Sequence, residues 1–263
     1  MMRYFAFGVG LFVFGFFLAA ACVTTPVTNR QALNLVPDGQ MNALGLESYK
    51  EVLAKEKISK DPRLNEIVTR IGKRIASASG AKYDWEFAVI DNSKTVNAFC
   101  LPGGKIAVYT GILPVAANEA ALAAVMGHEV AHATARHGAE RMSQAVVTQF
   151  GLAVVDGALK DSRYRGLTMG ALGLGAQFGV LLPYSRLHEA EADKIGLLYM
   201  AKAGYDPKEA AGLWQRMAAV GGRVPEFMST HPDPLKRSKE LEKMAEVVQV
   251  EFAASDRQPT KAL

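Results

Sequence analysis

Two histidines four positions apart, in the run His128-Glu129-Val130-Ala131-His132, constrain this chain more than any other feature. On a helix such positions stand one turn above the other, so both imidazoles can face a single metal ion. Glu129 is turned from His128 by about 100° around the helix, which lets its carboxylate reach a water on that ion without becoming a ligand. Two nitrogen donors beside a carboxylate base make the H-E-x-x-H arrangement of zinc hydrolases. The flanks agree with a helix: Asn118 is a good N-cap, the segment runs to about Arg136, and Gly138 follows.

A catalytic zinc needs a third protein ligand and an open position. His137 lies roughly 140° round the helix from His132 and joins only if the helix ends first. Asp156 sits in an Ala/Val-rich amphipathic stretch and reads as a surface residue. The better source is Ser185-Arg186-Leu187-His188-Glu189-Ala190-Glu191-Ala192-Asp193. Glu189 and Asp193 share a helix face while Glu191 turns away. One carboxylate can then bind zinc while the other accepts an N–H from a ligating histidine and fixes its tautomer. Glu189 is assigned to the metal and Asp193 to the supporting hydrogen bond. His137 and His188 are read as structural.

Of the 263 residues, 49% are apolar and 21% charged, enough to build a core in one large domain or two small ones. A net charge of +4 is too weak a field for nucleic acid, and two cysteines 78 positions apart exclude a disulfide-stapled miniprotein. After Arg3, an uncharged apolar run from Phe5 to Ala21 leads to Cys22. Residues 1–21 are expected to be a secretory signal peptide of the lipoprotein kind with Cys22 lipidated, an uncleaved membrane anchor being the alternative. Residues 22–40 read as a lipid-anchored polar tether, 41–253 as the metal-binding domain and 254–263 as a polar, frayed tail. Cys100 has no partner if Cys22 carries lipid, and reads as a small buried hydrophobe.

Periodicity supplies the elements. Asp61-Pro62 opens a helix with Leu64, Ile67, Val68, Ile71 and Ile75 on one stripe and Gly80 as its stop. Trp85 to Ile90 reads as a strand, and Thr95 to Leu101 pairs with Lys105 to Thr110 across Pro102-Gly103-Gly104. Further helices are expected over residues 139–182, divided near Lys160 to Arg163, over Leu187 to Ala203, and after Asp206-Pro207 and Asp233-Pro234. The sum is an α+β domain, mostly helical with one small sheet. The uncharged stretch from Gly166 to Leu182 reads as a helix packed closely over the active site, with a membrane-dipping helix as the alternative.

Four blocks together resemble a known family: Asn97-Ala98-Phe99-x-x-Pro102-Gly103-Gly104, His128-Glu129-x-x-His132, Ser185-Arg186-x-x-Glu189-x-x-Ala192-Asp193 and Ser229-Thr230-His231-Pro232. From about residue 45 to 245 the chain looks like the HtpX-like and CaaX-prenyl-protease zinc metallopeptidases. It is most similar to their soluble periplasmic branch of outer-membrane lipoproteins and assembly-quality-control proteases. The resemblance implies a zincin-like metalloprotease fold, Zn2+ at one ion per chain, Glu189 as third ligand and Glu129 as base, in agreement with the spacing. It also implies a lipid-anchored location on the periplasmic side of a Gram-negative outer membrane. Its expected partners are unfolded or misassembled envelope polypeptides, the membrane through the lipid, and outer-membrane assembly machinery, with no nucleic acid. Unlike HtpX and the prenyl protease, the chain has no clear spanning helix after residue 22.

His231 stays open between three readings. The resemblance suggests a loop histidine that fills zinc's open position and silences the enzyme. It is alternatively a donor to the transition-state oxyanion, or only a turn residue before Pro232. Arg237 is a further candidate for the same pocket.

The expected chemistry is peptide hydrolysis. Zinc lowers the pKa of its bound water, and Glu129 takes the proton as the hydroxide attacks a carbonyl. The substrate is expected along the strand at Asn97, Ala98 and Phe99, adding a strand through main-chain hydrogen bonds. That mode reads backbone and suits misfolded or misassembled envelope proteins. The rivals are a latent scaffold or chaperone lipoprotein in outer-membrane protein assembly, and a zinc hydrolase of cell-wall cross-links.

Overall fold

The computed structural model describes residues 22–160, 162–163, 165–176, 182–220, 227, 231 and 233–263. The expected signal peptide lies outside these residues, as does the Ser229-to-Pro232 block apart from His231. Along the chain come β1 (Cys22–Thr24), β2 (Gln31–Leu33), α1 (Asp38–Lys55), α2 (Pro62–Ser79), β3 (Glu86–Ile90), β4 (Ala98–Leu101) and β5 (Lys105–Tyr109). The one-turn α3 (Leu113–Ala116), α4 (Glu119–Thr134), α5 (His137–Ala158) and α6 (Arg165–Ala176) follow. They lead to α7 (Leu182–Lys202), α8 (Lys208–Ala219), α9 (Pro234–Val247) and α10 (Gln249–Ala254). The fold is the expected mostly helical α+β domain.

Helix α2 forms as its signals predict. The Asp61 side chain accepts from the N–H groups of Arg63 and Leu64, and Gly80 closes the helix at φ 66°. Ile67, Val68, Ile71 and Ile75 are its buried stripe. The predicted hairpin is present too: β4 runs antiparallel to β5 with Phe99 opposite Ala107. The turn uses Gly103 and Gly104 at φ 82° and 83°, a conformation that favours glycine. β3 joins β5 from the other side in parallel, giving the order β3-β5-β4. β5 is therefore buried throughout, and β4 stands at the edge of this sheet.

Helix α4 packs against β4 and α2 and is buried from Glu119 to Ala133, which is why its sequence carries no polar face. Helix α7 packs along it at unusually short range. A Cβ on Gly196 would stand 2.7 Å from the Gly127 carbonyl carbon and the His128 nitrogen, so the two backbones touch immediately before His128. Helices α8 and α9 pack on each other and close the third side.

Three expectations change. Residues 22–40 are not a free tether: β1 pairs with β2, Cys22 opposite Leu33, and α1 already begins at Asp38. The polar composition that resembles a linker is consumed by specific hydrogen bonds to buried acids. The 254–263 segment is not frayed either. Glu119 donates its N–H to the Lys261 carbonyl and Leu263 donates to Ala117, so these residues clamp the start of α4. Finally, α6 packs back on α5 rather than across the active site, and residues 177–181 lie outside the described residues. Beyond Gln144, α5 leaves the core with Val146, Phe150 and Val154 exposed. No described helix is long and apolar enough to cross a membrane.

Candidate metal centre

Helix α4 presents His128 and His132 on one face, and the close crossing at Gly127 and Gly196 lets α7 bring Glu189 against both. His128 Nε2 lies 3.1 Å from His132 Nε2 and 3.3 Å from Glu189 Oε2, and His132 Nε2 lies 3.3 Å from Glu189 Oε1. Donors bound to one tetrahedral zinc ion stand about 3.3 Å apart, so this triangle fits such an ion. His231 Nδ1 adds a fourth corner, 2.7 Å from Glu189 Oε2 and 3.1 Å from His128 Nε2. Among the described residues these four are the group able to hold a metal.

Glu129 is turned to the side of this group, as its position in the helix turn requires. It accepts a hydrogen bond from the Cys100 main-chain N–H on the edge strand. Its Oε1 is buried without a hydrogen-bond partner among the described residues, and His231 Nε2 approaches it to 3.4 Å. A buried acceptor left open beside three metal-type donors is what a water held in the site would satisfy. Burial raises the Glu129 carboxyl above its ordinary 4.5 even against the opposing pull of His231 and His128. A carboxylate raised in this way is a stronger base for proton transfer.

Charge around the donors is anionic and ordered. Burial and Arg237 both press His128 toward neutrality, yet hydrogen bonds to Asp193 and Glu189 prevail and raise it to about 9. Burial would raise Glu189 as well, but bonds from His128, His132 and His231 hold it well below the carboxylate range. The site thus calls for positive charge between these groups. His128 Nδ1 lies 3.1 Å from Asp193 Oδ1 and 3.0 Å from Arg237 Nη2. Arg237 donates to Asp193 and, at 3.0 Å, to Glu189, with its guanidinium 3.6 Å over the Trp214 ring.

His132 is supported differently, and the sequence reading missed how. α4 ends at Thr134, Arg136 takes a left-handed turn, and His137 opens α5 facing backwards. His137 Nδ1 lies 2.8 Å from His132 Nδ1, and its Nε2 lies 3.1 Å from Glu191 Oε2. Glu191 turns away from the metal group as expected, but it is buried rather than solvated. Arg30 bridges it to Glu140, which also receives His188 Nε2 at 2.8 Å. Burial pushes His137 down to about 4, keeping it neutral. The only hint in the sequence was the clustering of histidines; the partners come from distant segments.

Of the three residues expected to meet substrate, Ala98 is buried in the core and Phe99 packs against Tyr109, their ring centroids 6.4 Å apart. Their side chains are structural. Asn97 gives its carbonyl to the Tyr109 N–H on β5, so by strand alternation Ala98 and Cys100 turn their main-chain groups to the outer edge. A cleft runs from His132 past Cys100, Leu101 and Pro102. Phe227 donates its N–H to the Val96 carbonyl just before this edge and packs on His231. Cys22 is exposed at the start of β1.

Two histidines and a glutamate from crossing helices, with a buried glutamate beside them, make a candidate metal site of the kind a metalloprotease needs. The chain belongs to peptidase family M48, whose profile matches residues 60–245. It is 38% identical over 240 residues to the mitochondrial metalloendopeptidase OMA1 of Schizosaccharomyces pombe, covering 88% of this chain and 68% of that one. It is 44% identical over 160 residues to OMA1 of Arabidopsis thaliana, covering 60% and 31%. It is 28% identical over 225 residues to the β-barrel assembly-enhancing protease of Escherichia coli, covering 81% and 45%. The chain thus spans from 31% to 68% of the length of these relatives. The expected Gram-negative periplasmic, outer-membrane location does not hold. Relatives from fungi, a plant and mammals carry mitochondrial names, and the fungal and plant ones, at 36–44% identity, are more similar to this chain than the 28% identical bacterial protease.

Proposed function

We propose that the chain is a zinc-dependent metalloendopeptidase in which His128, His132 and Glu189 hold one zinc ion and Glu129 is the general base. The observation that carries this is the triangle of donors at zinc spacing with the open Glu129 oxygen beside it. When bound, zinc polarises the scissile carbonyl and acidifies the attacking water. Glu129 accepts that water's proton and returns it to the leaving amine. Asp193, held by Arg237, positions the His128 ring from its Nδ1 side so that Nε2 turns inward.

The substrate lies extended on the outer edge of β4, donating to the main-chain carbonyls of Ala98 and Cys100, whose N–H groups are already taken by the Asn97 side chain and Glu129. Such recognition ignores most side chains and suits unfolded or misassembled polypeptides. His231 fills the corner where the substrate carbonyl must enter, so the resting enzyme is held closed until that histidine leaves. The same contact favours the second reading, a latent protein that engages partners without cutting them.

Cleavage of unfolded casein by the zinc-loaded full chain tests both. Glu129→Gln is expected to lose about 10²- to 10⁴-fold in rate while still binding zinc. His231→Ala is expected to cut faster than the parent. Loss of activity in His231→Ala would make that histidine an oxyanion donor instead, and absence of cleavage by either protein would favour the latent reading.

A further inference from the structure

Behind His132 the protons can be counted. A carboxylate can only accept hydrogen bonds, and a neutral imidazole carries one N–H and one lone pair. Arg30 Nε donates to Glu191 at 2.8 Å and its guanidinium pairs with the same carboxylate, a cation that keeps Glu191 ionised. The Thr25 and Thr28 hydroxyls, whose oxygens are 2.7 Å apart so that one donates to the other, supply a further donor to it. The contact between Glu191 Oε2 and His137 Nε2, at 3.1 Å, is therefore made by a proton on His137 Nε2. Its Nδ1 is then a lone pair, and it stands 2.8 Å from His132 Nδ1. Two lone pairs cannot share that distance, so the proton between them belongs to His132. The remaining nitrogen of His132, Nε2, is left as a lone pair aimed at the metal group, 3.1 Å from His128 Nε2.

We infer that His137 and Glu191, completed by Thr25, Thr28 and Arg30 of the N-terminal β1–β2 segment, form a positioning relay that fixes His132 in its metal-binding tautomer. The inference rests on the proposed zinc centre. It adds that the centre is incomplete without the segment at residues 22–33, which the sequence reads as a tether. The two histidine ligands are thus oriented by two acids of one helix. Asp193 contacts His128 directly, whereas Glu191 reaches His132 through an intervening imidazole. Arg30 ties Glu191 to Glu140 on α5, so the hairpin locks α5 and α7 together behind the ligand. Displacing the hairpin would leave Glu191 free to rotate from His137 and the His132 ring free to take either tautomer.

The test measures zinc affinity of the full chain by competition with a chromophoric chelator, alongside 15N imidazole NMR of the zinc-free protein. His137→Leu removes the acceptor, and its zinc Kd is expected to rise about 10- to 100-fold. His137→Gln keeps an acceptor and is expected to recover most of that loss. Arg30→Met, remote from the ligands, is expected to weaken zinc about tenfold. The zinc-free parent is expected to show His132 as the Nδ1–H tautomer, and His137→Leu a mixture. Unchanged affinity in both His137→Leu and Arg30→Met would overturn the relay. So would an Nε2–H tautomer at His132 in the parent, which decides the matter alone if the variants do not fold. If the parent itself binds no zinc, the metal reading fails, and the parent's tautomer still tests the relay.

Discussion

Arg237 is the residue on which the buried charge of the centre depends. It faces Asp193 and Glu189, both buried, and its other side is covered by Trp214. Removing it strands carboxylates that cannot reach water. Arg237→Met is expected to destabilise the zinc-free protein by about 3–5 kcal/mol, the cost of breaking a buried pair. The double variant Asp193→Asn with Arg237→Met should lose less than the two single losses added, by about 0.5–3 kcal/mol. Denaturant unfolding of the four proteins checks this; strict additivity would mean the two side chains are not energetically coupled. The reach of sequence reasoning follows the same geometry. That His128 and His132 face one point with Glu129 beside them, and that Glu189 and Asp193 share a face, was legible because each is settled within one helix turn. The balance of charge was not, since Arg237 and Asp193 are 44 positions apart and no periodicity links them. Glu191 was correctly turned from the metal, yet no local rule says that a turned-away acid meets His137.

Among the elements, the crossing of α4 and α7 sets the distance between ligands. Gly127 and Gly196 stand backbone against backbone: a Cβ on Gly196 meets main-chain atoms at 2.7 Å that no rotamer change can move. Gly196→Ala must spread the helices, which is expected to cost about 1–3 kcal/mol. It must also lower zinc affinity, because Glu189 leaves with α7. Gly151→Ala on α5 is the contrasting case, with nothing within 4 Å of the new Cβ. It is expected to stabilise by up to about 1 kcal/mol through helix propensity alone. Thermal unfolding and a zinc titration of both variants read these opposite signs. Helix α2 and the β4–β5 hairpin could be read from caps, stripes and turn glycines because those signals are local. The parallel partnership of β3 with β5 could not, since it depends on α2 and α4 covering the sheet together.

At the scale of the whole molecule, the segments that resemble linkers are structural clamps, and the N-terminal one should respond to acid. Arg30 holds Glu140 and Glu191 together at 2.7 Å to each. Burial works to raise the Glu140 carboxyl, but bonds from His188 and Arg30 outweigh it and bring it from 4.5 to about 2. A carboxylate depressed in the folded state binds protons more weakly there than in the unfolded chain. Its stabilisation is therefore complete above about pH 4.5 and is lost as the pH falls toward 2. The hairpin, tied to both acids through Arg30, should detach in that window. The Thr25 amide, which closes the hairpin by donating to the Arg30 carbonyl, reports it by hydrogen exchange. Protection is expected to be constant from about pH 8 to 5 after correction for intrinsic exchange, then to fall through the Glu140 window. In Glu140→Gln, whose amide does not titrate, that fall should shrink and protection should be lower at neutral pH. An unchanged fall in the variant would mean that Glu140 does not hold the hairpin.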